Sequence, residues 1–125
     1  MFYFSMKKIK TLVIYYLLGF LVGFIFFSII FKYFIFCSRM TGESMLPTLK
    51  PNDMIFFIKT NNIHVGNIII YKHSTGIDVI HRVIDIKDES YITKGDNNEW
   101  YDWTENITQG KIKGKMIFRI PFGDL

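Results

Sequence analysis

The feature that most limits what this chain can become is its N-terminal apolar run. From Thr11 to Phe31 no residue is charged, and Leu, Ile, Val, Phe, Tyr and Gly dominate. At 1.5 Å per helical residue, about 20 such residues span the ~30 Å hydrocarbon core of a bilayer. The run is too long for the apolar core of a cleavable signal sequence, and no small-x-small cleavage site follows it. A buried helix of a soluble protein is the other reading, and the length argues against it. Residues 11–37 are therefore read as a transmembrane signal anchor. Lys7, Lys8 and Lys10 precede the run, so the positive-inside bias assigns residues 1–10 to the cytoplasm and residues 38–125 to the extracytoplasmic side. Lys32 and Arg39 weaken that asymmetry without reversing it.

The chain has 125 residues and a formal net charge of +4, room for one small folded domain beside the anchor. The basic residues are scattered, with Lys111, Lys113 and Lys115 alternating as on the solvated face of a strand. That pattern speaks against nucleic acid and for weak attraction to anionic lipid head groups. The single cysteine, Cys37, excludes an internal disulfide. His64 and His73 flank a strand with no Cys or acid cluster to complete a metal site, so they are read as solvated and no metal or other cofactor is expected.

After the anchor the chain reads as short strands. Pro51-Asn52-Asp53 leads into the apolar run Met54 to Ile58. A second β-branched run covers Gly66 to Tyr71, and a third covers Ile77 to Ile86 after Ser74-Thr75-Gly76. Within that third run Val79, His81, Val83 and Asp85 should share one face, with Ile80, Arg82 and Ile84 on the other. Ser90 to Thr93 and Lys111 to Ile120 complete the set. Helical periodicity is absent beyond the anchor, so the fold class is mainly β, preceded by one N-terminal transmembrane helix.

Three words carry chemistry: Ser44-Met45-Leu46-Pro47-Thr48-Leu49, Ile80-His81-Arg82-Val83-Ile84, and Thr93-Lys94-Gly95-Asp96-Asn97-Asn98. Ser44 is a weak nucleophile unless a base lies within hydrogen-bond reach. His81 is the candidate base, because imidazole exchanges protons near neutral pH. A carboxylate bonded to the other ring nitrogen would fix the tautomer and stabilise the imidazolium. Asp96 and Asp102 are both available for that task on the loop after Tyr91. Spacing alone does not choose between them.

These words resemble those of the type I signal peptidase family. Ser-Met-x-Pro-Thr is similar to its nucleophile box. His81-Arg82-Val83 stands where the common bacterial enzymes carry Lys-Arg-Val, and so resembles the Ser/His branch of archaea, the endoplasmic reticulum and sporulating bacteria. The family's catalytic acid lies six residues after the Gly-Asp-Asn aspartate, which implies Asp102. The competing assignment makes Asp96 the orienting acid, or else an ion-pair partner of Arg82 that braces the loop. Val65 to Tyr71 and Gly114 to Gly123 resemble the intervening and closing strands. Asn67 replaces an acid common in relatives, and Gly42 stands where many carry a serine whose hydroxyl serves the oxyanion.

The resemblance implies a small signal-peptidase-like catalytic β-domain over residues 38–125, in a near-minimal version of the family. It also implies a membrane-bound serine endopeptidase that cleaves signal peptides of exported preproteins after small residues. Its membrane would be the cell membrane, or the endoplasmic reticulum in a eukaryote. The expected partners are signal peptides, the lipid bilayer and other membrane subunits. A dedicated peptidase for a few secreted clients, or a catalytically silent anchored β-module acting as a subunit, are the alternatives. A repressor-type autoprotease of the same superfamily would use a Ser/Lys pair and a DNA-binding domain; the anchor and His81 count against it.

Overall fold

A computed structural model describes residues 2–125, with the backbone alone for Phe2 and Phe4. It divides into two compact units, residues 2–34 and 35–125. The first is a single helix, α1 (Phe2–Phe34), 33 residues long. Its stretch Ser5–Phe34 reaches a mean hydropathy of 2.5 with no part buried, so it is long and apolar enough to cross a membrane. Two of its hydroxyls bond within the helix: Thr11 Oγ1 donates to Lys7 O at 2.9 Å and Ser28 Oγ to Phe24 O at 2.8 Å. That suits a helix with no water along its sides.

The second unit is one antiparallel sheet with seven strands: β1 (Ile35–Arg39), β2 (Met54–Ile58), β3 (Ile68–Lys72), β4 (Asp78–Lys87), β5 (Ser90–Lys94), β6 (Ile107–Thr108) and β7 (Ile112–Ile120). Their spatial order is β1-β2-β7-β3-β4-β5-β6. The protein is thus mainly β with an apolar N-terminal helix, the class read from the sequence. Two strands were not legible there. Hydropathy carries the anchor to Cys37, but the helix stops at Phe34, and Ile35, Phe36 and Cys37 pair with Ile58, Phe57 and Phe56. The two-residue β6 is too short to carry a pattern and is defined only by its pairing with Ser90 and Tyr91.

Alternation along the strands builds a core on each face of the sheet. In β3 every residue from Ile68 to Tyr71 is buried. Ile68 and Ile70 join Met45, Leu49, Ile55, Phe57 and Ile80 on one side. Ile69 and Tyr71 join Val83 and Ile107 on the other. A continuous apolar run of this kind belongs to a strand covered on both faces. The expected split of β4 holds on these contacts, with Ile80 in the first core and Val79 and Val83 in the second. It holds as far as a bulge between Val83 and Asp85.

Gly114, in β7 opposite Ile70, marks a close approach. A Cβ there would stand 2.9 Å from Phe36 Cε1 and 3.0 Å from Phe57 Cβ, against two residues whose rings stack with centroids 5.5 Å apart. Gly114→Ala is therefore expected to overpack the first core and cost about 1–3 kcal/mol. A thermal melt of the full chain in detergent should show a fall of at least several degrees; an unchanged melting temperature would mean that the two rings yield freely.

Candidate active site

Ser44 sits on the irregular segment after β1, and the residues of its word hold it there. Met45 and Leu49 are fully buried, and Leu49 N donates to Met45 O at 3.0 Å, closing a turn. The Leu46–Pro47 peptide is cis. The second fixture is the turn after β5. Asn97 N donates to Ser44 O at 2.8 Å, Asn97 Nδ2 to Glu43 O at 3.2 Å, and Thr48 Oγ1 to Asp96 Oδ2 at 2.6 Å.

His81 lies in β4 opposite Ile69 and is 8% exposed. Its Nε2 is 3.2 Å from Ser44 Oγ, and its Nδ1 is 2.5 Å from Asp102 Oδ2. With Nδ1–H donating to the carboxylate, the Nε2 lone pair is left to accept from the serine hydroxyl. Asp102 is held in turn. Its N–H donates to Thr93 O at 2.7 Å, and its Oδ2 accepts from Thr93 Oγ1 at 2.6 Å and from the Tyr71 hydroxyl at 3.3 Å. Burial pushes the Asp102 carboxyl up, but the hydrogen bonds from His81 and Thr93, electrostatic attraction to His81 and the Tyr71 hydroxyl outweigh it and hold it below its ordinary value. Burial foremost pushes the Tyr71 phenol up, so it stays protonated and can only donate to the carboxylate.

Of the two aspartates left open by the sequence, Asp102 is the one beside the imidazole. Asp96 belongs to a different contact set: Arg82 Nε and Nη2 donate to its two oxygens at 2.9 and 2.8 Å, and Thr48 supplies the third bond. The Arg82 bonds, the Thr48 bond and nearby positive charge outweigh burial and keep Asp96 below its ordinary value. These contacts brace the loop, and no bond joins Asp96 to the imidazole. Thr48, Tyr71 and Thr93 were not singled out from the sequence. Strand parity could have found two of them: Tyr71 pairs with Val79 and Thr93 with Val83, which share the His81 face.

Ser44 and His81 open into a groove of about 370 Å³ between Ser38–Gly42 and Asp78–His81. β5 pairs with β4 only from Arg82 onward, so Asp78 to His81 keep one edge without a strand partner. β1 is the outermost strand on its side of the sheet. Among the described residues no group of three or more His, Cys, Asp or Glu is placed to hold a metal ion. His73, read as solvated, instead meets Glu105 Oε1 at 3.2 Å and Thr75 Oγ1 at 2.8 Å. His64 lies at a turn where Asn67 Oδ1 accepts its backbone N–H at 2.7 Å, a task an acid in place of Asn67 would also perform.

The lowered Asp96 value fixes the sign of its effect on stability. A carboxyl depressed in the folded state stabilises fully above its unfolded value and loses that contribution as pH falls through the folded one. Asp96→Asn is therefore expected to lower stability by about 1–3 kcal/mol at neutral pH. The gap from the unaltered protein should shrink below the ordinary value of 3.8. Denaturation at a series of pH values would test this; a gap that is constant down to strongly acid pH would contradict it.

A family model described as Peptidase S24-like matches residues 28–117, a span that takes in Ser44, His81, Asp96 and Asp102. No curated protein matches the chain. The model does not single out the signal peptidase branch that the motifs resemble. It covers well over half of the sequence, and the chain belongs to the Peptidase S24-like family.

Proposed function

We propose that the protein is a membrane-anchored serine endopeptidase that removes signal peptides from exported proteins. The observation that carries the reading is the continuous chain from Ser44 Oγ to His81 Nε2 at 3.2 Å and from His81 Nδ1 to Asp102 Oδ2 at 2.5 Å. In this reading Ser44 is the nucleophile, His81 the general base and then general acid, and Asp102 the group that orients the imidazole and stabilises its charged form. Membership of a peptidase family supports the hydrolytic chemistry. The Ser/Lys alternative finds no support at the site. Lys94, the lysine of the third word, donates instead to Gly95 O at 2.9 Å and Asn98 O at 2.7 Å.

Signal peptides are the favoured substrate class for three reasons. The motifs resemble the Ser/His branch of the signal peptidases, the chain begins with a helix apolar and long enough to span a bilayer, and the groove is shaped for an extended chain. A peptide entering it would find backbone donors and acceptors at the free edge of Asp78–His81 and at the outer edge of β1, the usual mode of strand addition. Met40, Ile70 and Ile80 give the groove shallow apolar walls, suited to small side chains. The anchor would place residues 1–10 in the cytoplasm and the β-domain outside it, within reach of exported substrates.

The direct test is cleavage of a synthetic signal peptide after Ala-x-Ala by detergent-solubilised protein. Ser44→Ala is expected to abolish it, and Asp102→Asn to leave a folded protein with kcat reduced about 10⁴-fold. Cleavage by Ser44→Ala at the normal rate would end the serine-peptidase reading. Topology has its own check. Protease added to spheroplasts should digest the β-domain, and full protection there would place it in the cytoplasm and exclude the export role.

A further inference from the structure

Attack on a carbonyl puts negative charge on its oxygen, and donors placed for that charge supply much of the rate in such sites. One donor is at hand in the Ser44 N–H, which donates to no group among the described residues. The position two residues earlier offers no side-chain donor. Gly42 has no side chain, and a Cβ built on it would have nothing within 4 Å. This corner of the groove is open.

Asn98 lines the same groove as Gly42, Ser44 and His81. Its backbone is committed, with N–H donating to Gly95 O at 2.9 Å and O accepting from Lys94 Nζ at 2.7 Å. Its side-chain amide, by contrast, hydrogen-bonds to no described residue, although the residue is partly buried. That amide lies beside the nucleophile's backbone. A Cβ on Gly95 would stand 2.5 Å from Ser44 O and 2.7 Å from Asn98 Nδ2, so glycine at position 95 leaves room for both. The Asn98 amide donors are therefore free to bond to a group that enters the groove beside Ser44.

We infer that Asn98 Nδ2 is the second oxyanion donor, acting with the Ser44 N–H. The inference rests on the serine-peptidase reading above. As Ser44 Oγ bonds to the carbonyl carbon, its proton passes to His81 Nε2 and the C=O π pair moves onto the oxygen between the two N–H groups. On collapse the C=O re-forms, the C–N bond breaks, and the leaving amine takes the proton from His81. Asn98 is neutral throughout and takes no proton.

The experiment measures kcat and KM for synthetic signal-peptide cleavage by the full chain in detergent, with melting curves. The variants are Asn98→Ala, Asn98→Asp, Asn98→Ala combined with Gly42→Ser, and the Ser44→Ala control. Asn98→Ala is expected to lower kcat by about 10²–10³-fold with KM little changed. Asn98→Asp should be at least as damaging, because it sets a carboxylate against the developing charge. Gly42→Ser, for which there is room, should restore part of kcat in the double variant. If Asn98→Ala melts early, the double variant decides, since an added hydroxyl at position 42 restores kcat without restoring the fold; absence of rescue then overturns the inference. Normal kcat in Asn98→Ala, or a loss confined to KM, beside an inactive Ser44→Ala removes Asn98 alone. Cleavage that survives Ser44→Ala removes the serine-peptidase reading and this inference with it.

Discussion

The Asp96 carboxylate joins segments that are distant in the chain, and the geometry of the site depends on that junction. Arg82 reaches it from β4 and Thr48 from the loop that carries Ser44, while Asn97 next to it binds Ser44 O. The loop carrying Ser44 belongs to no strand, so burial of Met45 and Leu49 and this polar fastening are what hold it against the sheet. A bidentate guanidinium–carboxylate pair fixes direction as well as distance. The 3.2 Å approach of Ser44 to His81 follows from that fixture, although Asp96 does not touch the imidazole.

The second constraint is the parity of the sheet. Both faces of β3 and β4 are covered, so each strand sends alternate residues into two cores. His81, Tyr71 and Thr93 fall on one parity, and their polar atoms converge on Asp102 Oδ2 at 2.5, 3.3 and 2.6 Å. Burying a carboxylate is unfavourable in itself, and here three donors offset it. The same crowding leaves the carboxylate little freedom, which keeps the histidine in one orientation.

Much of this was legible in the sequence, for physical reasons. A charge-free apolar run sets a length scale, and five β-rich runs bounded by turn residues correspond to β2, β3, β4, β5 and β7. Hydropathy failed at Ile35 to Cys37, because it cannot tell lipid from a neighbouring strand as the cover of an apolar residue; only the pairing with Phe56 to Ile58 separates the two. The motifs gathered Ser44, His81 and two aspartates, but the partner of each aspartate is set by long-range contacts. Arg82 and Thr48 claim Asp96, and the bond from Asp102 N–H to Thr93 O turns Asp102 back toward β4. Asn98 stood inside a recognised word with no role attached. Its distinguishing property, an amide left without a partner beside Ser44, exists only once the chain is folded.

The central claim is that His81, oriented by Asp102, activates Ser44. Its most direct measurement is covalent labelling of the solubilised protein with a fluorophosphonate, with the adduct located by mass spectrometry, in the unaltered chain and in His81→Ala. Such a probe reacts at an activated hydroxyl and is insensitive to which peptide the protein prefers. The expected result is a single adduct on Ser44 in the unaltered protein and its loss in His81→Ala, with the fold retained. Labelling of Ser44 that proceeds undiminished without His81, or an adduct on another residue, would contradict the mechanism.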